Sequence, residues 1–441
     1  MQLLRAIPKV DVLLENPALN FIAPRLKTRL IRETLEALRA GILAGEVKTI
    51  DEAALIDEVK TRYEKLIEPS FKPLINATGV VVHTNLGRSI LDAALIDEIK
   101  PLLTGYSNLE YDIAEGKRGS RYTHLGRLMR EVLGCEEVLV VNNNAAAVFL
   151  ILNTFAQNKE AIVSRGELVE IGGSFRIPDV MRQSGAVLRE VGTTNKTHLS
   201  DYEQAANENT ALLMKVHRSN FAIKGFTSEV DFAELIVLAR EKGLIDYFDL
   251  GSGQLVDLGV GDEPLLTELA ALNPSLVSFS GDKLFGGVQA GVIFGKKALI
   301  DKLKKNQLLR MLRVDKFTLA ALEATLRRYL AEKVDEIPTV RMIKAPVSAL
   351  EIRARKLTKL LLPIKSSIEK TQNFVGGGAL PEEAIAGCAV VLGGNVENLH
   401  ENLRLKGVIA RVENNKLYLE MRTVFDNDLK KLAIILKEVV A

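Results

Sequence analysis

The amino-acid sequence predicts an α/β fold with a mostly parallel sheet, preceded by a helical segment and followed by a smaller α+β unit. Two observations support this prediction. Between residues 137 and 295, short β-branched runs alternate with helical stretches: EVLVV, AIVS, AVLREV, ALLMKV, LIDYFDL, LVSFS and GVIFG. Such alternation is typical of parallel strands covered by helices on both faces. A chain of 441 residues also exceeds one ordinary hydrophobic core, so two or three domains are expected.

The N-terminal segment is expected to be a helical domain spanning residues 1–70. RLKTRLIRETLEALRAGILAG has apolar residues at three- and four-residue spacing and closes on a glycine. TIDEAALIDEVKTRYEKLI follows the same pattern, with Thr49 or Asp51 as its cap. Prolines and a glycine in EPSFKPLINATG break the helical pattern, which places the first domain boundary between Glu68 and Ile75.

The large domain is predicted to span residues 71–330, and a small C-terminal α+β domain residues 331–441. A long helical stretch over residues 296–333 connects the two. In the last unit, VIARVENNKLYLEMRTV is typical of a hairpin with Asn414 and Asn415 at the turn, and NDLKKLAIILKEVV of a closing helix.

Composition argues against several classes of protein. The chain has 58 Lys and Arg against 56 Asp and Glu, so it is not a strongly basic protein that coats nucleic acid. Cys135 and Cys388 lack CxxC spacing and the histidines form no HExxH motif, so neither a disulfide nor a metal is predicted. No uncharged apolar run approaches 18 residues and the N-terminus lacks a signal-peptide core, so we expect a cytoplasmic protein without membrane contact.

Three predicted strand ends carry polar residues that suit one cofactor. LIDYFDLGSG contains Asp249, SFSGDKLFGG carries Lys283, and EVLVVNNNAAAV has Asn142–Asn144 before a helix. Ligands of parallel sheets bind beyond the carboxyl ends of the strands. Pyridoxal phosphate needs a lysine amine for its aldehyde, a carboxylate for its pyridine nitrogen and amide donors for its phosphate. Lys283, Asp249 and the helix start fit these three roles in order.

The start of the helix after EVLVV is the predicted phosphate site. Free N–H groups and the positive end of the helix dipole favour an anion there, and small side chains allow close approach. The expected contacts are Asn143, Asn144 and Ala145, with Ser280 as a hydroxyl donor. Taken singly, a strand-end aspartate is more often a turn residue and a lysine more often a solvated charge, but their combination favours the cofactor. GxGxxG and GxxxxGK[ST] motifs do not occur, so nucleotide binding is not expected.

Longer motifs resemble one protein family. They run in order along the chain: INATGVVVHTNLGRS, YSNLEYDIAEGKRGSR, NNNAAAV, DLGSG, SFSGDKLFGGVQAG and LLRMLRVDKFTLAALEATL. As a set they are similar to the bacterial selenocysteine synthases, the L-seryl-tRNA(Sec) selenium transferases, and the resemblance extends from LRAIPKVDVLL to EMRTV. It implies a fold-type I pyridoxal phosphate enzyme of the aminotransferase superfamily, with Lys283 as the Schiff-base lysine.

The resemblance implies a β-replacement on serine esterified to tRNA(Sec). The hydroxyl group would leave to give an aminoacrylyl intermediate, with the freed Lys283 as base and selenophosphate as selenium donor. The resemblance also implies a ring-shaped homodecamer of dimers with active sites at the dimer interfaces, and an N-terminal domain that holds the tRNA. The candidate RNA contacts in that domain are Arg25, Lys27, Arg29, Arg32 and Arg39. Because nearby acids balance their charge, a solvated helix face is an equal alternative.

The resemblance assigns four side chains near the reacting groups. Arg88, Arg310 and Arg313 are expected to bind the anionic selenium donor, because arginine forks match phosphate oxygens. Arg310 and Arg313 are three residues apart and would share a helix face. Asp282, next to the cofactor lysine, is expected to hydrogen-bond or to help in proton transfer, with an ordinary turn carboxylate as the alternative.

Four further residues are candidates with open roles. His217, or alternatively Asn220, would touch the cofactor ring, although a structural histidine fits equally well and Arg218 stands where a small polar residue is expected. His83 has no assigned role. Arg422 occupies the place where fold-type I enzymes bind a substrate carboxylate; since that carboxylate is an ester here, it would contact the ester carbonyl or the tRNA end.

Two other functions remain alternatives. A related pyridoxal phosphate lyase, which eliminates water or ammonia from a small amino acid or amino-sugar acid, would need neither the N-terminal domain nor the arginine set. A tRNA-binding protein without catalysis would not need Lys283 and Asp249.

Overall fold

The computed structural model describes residues 2–171, 175–218, 221, 223–376 and 383–440. The chain divides into two compact units, Met1–Pro73 and Leu74–Ala441. The described helices of the first unit are α1 (Gln2–Arg5), α2 (Val10–Leu14), α3 (Pro24–Leu43) and α4 (Glu52–Ile67). Asp51 caps α4, since its side chain accepts the N–H of Ala53. The buried core of this unit consists of Leu13, Leu19, Ile22, Leu30, Ile31, Leu35, Leu55 and Val59.

Lys27 belongs to the interior of the first unit, not to its surface. Its side chain is buried, and its amine donates to the carbonyl of Leu14 at 3.0 Å and to Oδ1 of Asn20 at 3.2 Å. These acceptors hold the charge because α3 packs against the preceding turn. The expectation that Lys27 contacts RNA is therefore wrong.

Strands and helices of the second unit are numbered along the described residues. The strands are β1 (Ile75–Ala77), β2 (Tyr111–Asp112), β3 (Lys117–Arg118), β4 (Glu137–Val141), β5 (Glu160–Ser164), β6 (Glu170–Ile171), β7 (Phe175–Arg176), β8 (Val187–Val191), β9 (Thr210–Val216), β10 (Ile245–Gly251), β11 (Leu276–Ser280), β12 (Gly291–Gly295), β13 (Ser367–Phe374), β14 (Ala384–Leu392), β15 (Val408–Glu413) and β16 (Lys416–Glu420). The helices are α5 (Ala93–Thr104), α6 (Thr123–Leu133), α7 (Asn144–Phe155), α8 (Ile177–Ser184), α9 (Leu199–Ala205), α10 (Phe232–Lys242), α11 (Leu266–Ala271), α12 (Lys297–Lys305), α13 (Leu309–Leu312), α14 (Lys316–Leu330), α15 (Pro338–Lys344), α16 (Val347–Leu361), α17 (Val396–Leu405) and α18 (Leu429–Val440).

The larger sheet is built from the runs predicted as strands. In the described part of the chain its order is β4-β12-β11-β10-β9-β5-β8, and β12 alone runs antiparallel to the other members. Both faces are buried: in β4, Val138 and Val140 join one core cluster, and Leu139 and Val141 the other. The prediction of a mostly parallel, doubly covered sheet is confirmed.

The smaller sheet differs from what the sequence predicted. Its order in the described residues is β1-β15-β16-β14-β13, with helices α16, α17 and α18 contributing to the core on one face. Asn414 and Asn415, with φ of 50° and 56°, form the expected hairpin turn. The long strands β13 and β14 were not predicted. Strand β1, which the boundary at residue 71 assigned to the large domain, pairs in parallel with β15 and so belongs to this sheet.

The helical stretch over residues 296–333 is broken into α12, α13 and α14. Asn306 has an extended backbone and its side chain accepts the N–H of Leu308, which interrupts the helix. Asp315 then caps α14 by accepting the N–H of Thr318. Among the helices in the described residues, none is long and apolar enough to span a bilayer.

Candidate active site

A cavity of about 270 Å³ lies at the carboxyl edge of the larger sheet. Its volume is close to the lower end of ordinary ligand pockets. The sequence-predicted residues that line it are Arg88, Asn143, Asn144, Ala145, His217, Asp249, Ser280, Asp282 and Lys283. They come together because parallel strands deliver their carboxyl ends to one edge. The structure therefore gathers the predicted cofactor residues into one site.

Lys283 lies in the turn between β11 and β12, and its side chain is buried. Gly286 closes this turn at φ 73°, and a Cβ atom there would come within 2.4 Å of Cγ2 of Ile337, so only glycine fits. Burial lowers the pKa of the Lys283 amine, and the charge of Arg88 lowers it further. The lysine is thereby shifted toward its neutral, nucleophilic form.

Asp249 presents a buried carboxylate from β10. Its Oδ1 accepts a hydrogen bond from Nδ2 of Asn144 at 2.7 Å. Burial raises the pKa of Asp249 to about 6, while the Asn144 hydrogen bond and Lys283 act in the opposite direction. A cationic group placed next to this carboxylate would favour its ionised form.

The helix start after β4 has the geometry of an anion site. Asn143 caps α7 by accepting the N–H of Ala146 at 2.8 Å, and the N–H groups at the first helical positions have no partner inside the helix. Gly291 of β12 lies against this turn: an added Cβ would be 2.1 Å from the carbonyl oxygen of Asn143. Only glycine therefore allows the strand to approach.

His217 follows β9 and is fixed through its backbone, whose N–H donates to the carbonyl of Asp249 at 2.9 Å. Its ring packs edge-on against Phe248, and burial lowers the pKa of the imidazole. Arg218 pairs with Glu229 at 2.8 Å. Asn220, the alternative to His217, lies outside the described residues.

Sequence reasoning missed Glu263, which lies between β10 and α11. Its side chain is fully buried, and Oε2 accepts the hydroxyl of Ser252 at 2.5 Å. The same oxygen is 3.6 Å from Nδ1 of His217. Glu263 stands in a loop without a recognisable motif, so no local signal pointed to it.

Arg88 and Asp282 form an ion pair at one side of the cavity. Nη1 of Arg88 donates to Oδ2 of Asp282 at 2.8 Å, and the N–H of Ser89 donates to the Asp282 carbonyl at 3.1 Å. Arg88 has a φ of 61°, a conformation that a non-glycine residue adopts only when its surroundings enforce it. His83, which does not line the cavity, contributes here because its carbonyl accepts the N–H groups of Leu86 and Arg88.

Arg310 and Arg313 line a different cavity, of about 360 Å³. The basic residues in its wall are Arg118, Arg121, Lys304, Lys305, Arg310 and Arg313. Arg310 lies in the short helix α13, whereas Arg313 follows it in extended conformation, so the predicted shared helix face is wrong. The N–H of Asn142 donates to the carbonyl of Leu312 at 2.9 Å, which ties this segment to the start of the cofactor cavity.

Arg422 is buried and fully engaged inside the small domain. It donates to the carbonyls of Met342, Ile343, Ala345 and Ala386 and to Oδ1 of Asn373, at 2.6 to 3.2 Å. Three of these carbonyls lie at the C-terminal end of α15, where helix carbonyls lack partners. The expected contact of Arg422 with a substrate carbonyl or tRNA end is therefore wrong.

The family model for L-seryl-tRNA selenium transferase matches residues 74–425. The protein named L-seryl-tRNA(Sec) selenium transferase from Wolinella succinogenes is 56% identical over 439 residues, covering 99% of each chain. The protein of the same name from Aliarcobacter butzleri is 53% identical, covering 99% of this chain and 98% of its own. Among solved structures, D-glucosaminate-6-phosphate ammonia-lyase shares the fold, with a TM-score of 0.61 and 19% identity over 86% of this chain and 97% of its own.

The fold has the mostly parallel α/β architecture that was predicted, and it is shared with the ammonia-lyase; the cofactor that the sequence predicts for the cavity is pyridoxal phosphate. The residues in the cavity fit it: a lysine shifted toward neutrality, a buried carboxylate and a helix start that offers free N–H groups. The match over residues 74–425 and the full-length identity to relatives show that the chain belongs to the L-seryl-tRNA selenium transferase family.

Proposed function

We propose that the protein transfers selenium to L-seryl-tRNA(Sec), with selenophosphate as the selenium donor and pyridoxal phosphate as the cofactor. The observation that carries the proposal is the convergence of Lys283, Asp249 and the start of α7 on one cavity in a chain whose relatives are selenium transferases along their full length. The reaction replaces the β-hydroxyl of the seryl group by selenium.

Lys283, Asp249 and the helix start would hold the cofactor. The Lys283 amine would be the covalent anchor, Asp249 would keep a proton on the pyridine nitrogen, and Asn143, Asn144 and Ala145 would receive the phosphate, with Ser280 as a hydroxyl donor. When bound, pyridoxal phosphate supplies an electron sink for negative charge at the α-carbon of the substrate. The Lys283 amine would take the α-proton of the seryl group; its lowered pKa supports this role because a neutral amine accepts a proton.

Arg88 is the donor-binding arginine of the cofactor cavity. The pair with Asp282 orients its guanidinium, and about a third of the Arg88 side chain stays exposed, so one edge can meet an anion. The carboxylate of Asp282 limits the local positive charge and gives the arginine a fixed position before the donor arrives.

Arg310 and Arg313 provide a second basic surface for the phosphorylated donor. In the described part of the chain no carboxylate pairs with Arg310, and Glu110 lies 3.8 Å from Arg313. Since these arginines and Arg88 line separate cavities of one chain, a single anion site that contains all three requires a neighbouring protomer or closure of the segment after Leu312.

We propose that the protein assembles as a homo-oligomer of dimers, with a decamer as the expected form. Support comes from exposed apolar side chains on the segment around β2: Tyr106, Tyr111 and Ile113 are 108%, 52% and 72% exposed. Clustered exposed apolar residues mark interaction surfaces. The assembly is checked by measuring the molar mass in solution.

The N-terminal unit is the tRNA-binding unit. Arg25, Arg29, Arg32 and Arg39 are exposed, and helical spacing puts them on one face of α3 over roughly 21 Å. Arg29 is 3.7 Å from Glu33 in an exposed pair, which a phosphate can replace at little cost. This row of arginines suits the phosphate backbone without base reading.

The competing function is a lyase that acts on a small amino acid or amino-sugar acid. The shared fold with D-glucosaminate-6-phosphate ammonia-lyase does not distinguish the two, because that likeness concerns the fold alone. The N-terminal unit favours the transferase, since a small substrate does not require it.

The test is selenium incorporation by the purified protein. Labelled selenophosphate is supplied together with seryl-tRNA(Sec), seryl-tRNA(Ser) or free serine in parallel reactions. The proposal predicts label on seryl-tRNA(Sec) alone. Absence of label on every tRNA, with a keto acid released from a small amino acid, would replace the transferase by the lyase.

A further inference from the structure

We propose that Glu263 is a positioning residue of the active site, which holds His217 with Nδ1–H directed at its carboxylate and Nε2 left for the cavity. The geometric part of this inference stands on contacts alone. Its meaning for the reaction rests on the proposed function.

The contact joins two buried polar groups that lack sufficient partners. Among the described residues, neither Nδ1 of His217 nor Oε1 of Glu263, both buried, has a hydrogen-bond partner. The ring nitrogen lies 3.6 Å from Oε2, the oxygen that Ser252 already contacts at 2.5 Å. Shortening the gap by about half an ångström gives an ordinary N–H to oxygen hydrogen bond. One small movement thus satisfies the imidazole and adds a partner to the carboxylate.

Burial of Glu263 determines which ring nitrogen of His217 carries the hydrogen. The side chain of Glu263 is 0% exposed, and that of His217 is 24% exposed. A buried carboxylate costs free energy unless it is paired or hydrogen-bonded, so it attracts the one ring N–H that can reach it. Among the described residues, His217 is the basic side chain that comes within 4 Å of Glu263. The tautomer of His217 is therefore set by Glu263.

Other charges near His217 act in both directions. Lys215 and Arg218 disfavour the cationic imidazole, and Glu229 favours it. Glu229 is more than half exposed and is shared between Lys215 at 3.7 Å and Arg218 at 2.8 Å, so its effect is screened. Lys283 and Asp249 face the same cavity. Glu263 is thus the fully buried carboxylate that acts on the ring.

The orientation determines what His217 offers to the site. Burial lowers the pKa of His217, so the ring is neutral at neutral pH. With its hydrogen on Nδ1, the neutral ring presents an acceptor at Nε2 to the cavity. If Nε2 gains a proton, the cation lies against the Glu263 carboxylate. His217 can therefore hold one proton beside Lys283 and return it without leaving an unpaired charge.

The first test reads the tautomer in the unmodified protein. The full chain is labelled with ¹⁵N, with and without pyridoxal phosphate, and the His217 signals are assigned by comparison with H217Q. Two-bond couplings between ring nitrogens and ring protons report which nitrogen carries hydrogen. We expect hydrogen on Nδ1 at neutral pH. Hydrogen on Nε2 in both forms would overturn the proposal, and this result depends on neither tRNA nor selenium.

The second test separates charge from orientation. E263Q keeps an oxygen that can accept the Nδ1–H but removes the charge, and E263A removes both. We expect the proton affinity of His217 to fall about tenfold in E263Q, and by less than about twofold in the exposed control E229Q. E263A should also lose the Nδ1–H tautomer, which E263Q retains. Equal His217 titration in the parent and E263Q would refute the role of Glu263.

The outcomes also separate this inference from the proposed function. An Nδ1–H tautomer in a protein that does not label seryl-tRNA(Sec) would uphold the contact between Glu263 and His217 and reject the transferase. An Nε2–H tautomer in a protein that does label seryl-tRNA(Sec) would reject the role of Glu263 and uphold the transferase. If the Glu263 variants do not fold, the measurement on the parent protein still decides.

Discussion

Arg422 is predicted to stabilise the small domain, and R422M removes its charge and donors while keeping a long side chain. The guanidinium donates to three carbonyls at the end of α15 and to the carbonyl of Ala386 in β14. It therefore ties the end of one helix to the smaller sheet. Methionine supplies no donor, so these buried carbonyls lose a partner.

The expected loss of stability follows from opposing terms. Each buried carbonyl left without a partner costs about 1–3 kcal/mol, but removing a buried charge recovers part of the desolvation that the arginine has paid. The net effect should be about 3–5 kcal/mol, the lower part of the summed cost of four carbonyls once that recovery is subtracted. The midpoint of chemical denaturation of the small domain should fall accordingly. It is measured by far-UV circular dichroism on the purified full chain.

The matched control is R404A. Arg404 is 58% exposed and lies 3.9 Å from Glu401, so its removal should change stability by less than about 0.5 kcal/mol. The structural assignment of Arg422 is refuted if R422M unfolds like the parent while the KM for seryl-tRNA rises. That outcome would indicate that Arg422 contacts the substrate.

Three further predictions concern the active site. K283A should lose turnover and the absorbance of lysine-bound cofactor but still bind tRNA by filter binding; turnover at the parent rate would refute the assignment. Replacing Arg310 and Arg313 by alanine should raise the KM for selenophosphate more than the Kd for tRNA. The control is K302A, because Lys302 is exposed on α12 and does not line the cavity of these two arginines. Equal losses in KM and Kd would indicate that the two arginines contact RNA. In the cofactor-free protein, the pKa of Asp249 is higher in the folded state than in the unfolded state. The free energy of unfolding should therefore fall by about 3 kcal/mol as the pH rises from about 4 to about 6. D249N should abolish this fall in denaturant titrations, and an unchanged profile in D249N would contradict the prediction.

Local patterns were sufficient for much of the fold. The runs of the larger sheet are apolar on successive residues, a pattern that strands buried on both faces require. Asp51 and Asn143 cap helices through contacts within three residues, and Asn414 and Asn415 form a turn on their own backbone preferences. Each of these features depends on neighbours along the chain.

Features that depend on distant contacts were missed. Strand β13 alternates exposed and half-buried residues and therefore has no clear apolar run. Strand β14 is an apolar run, AIAGCAVVL, but its alanines and glycine do not favour a strand by themselves, and β13 and β16 supply the pairing that makes it one. Strand β1 is three residues long and exists because β15 lies beside it. The break after α12 depends on the side chain of Asn306, which also contacts Asn153 and Thr154 of α7.

The same division applies to the active site. The sequence by itself determined that Lys283, Asp249 and Asn143 stand at strand ends, and the order of parallel strands then brings strand ends to one edge. Only the tertiary structure decided that Arg422 and Lys27 are buried, that Arg310 and Arg313 line another cavity, and that Glu263 meets His217. Burial and pairing of a charged side chain depend on what packs over it, and those groups come from residues far away in the chain.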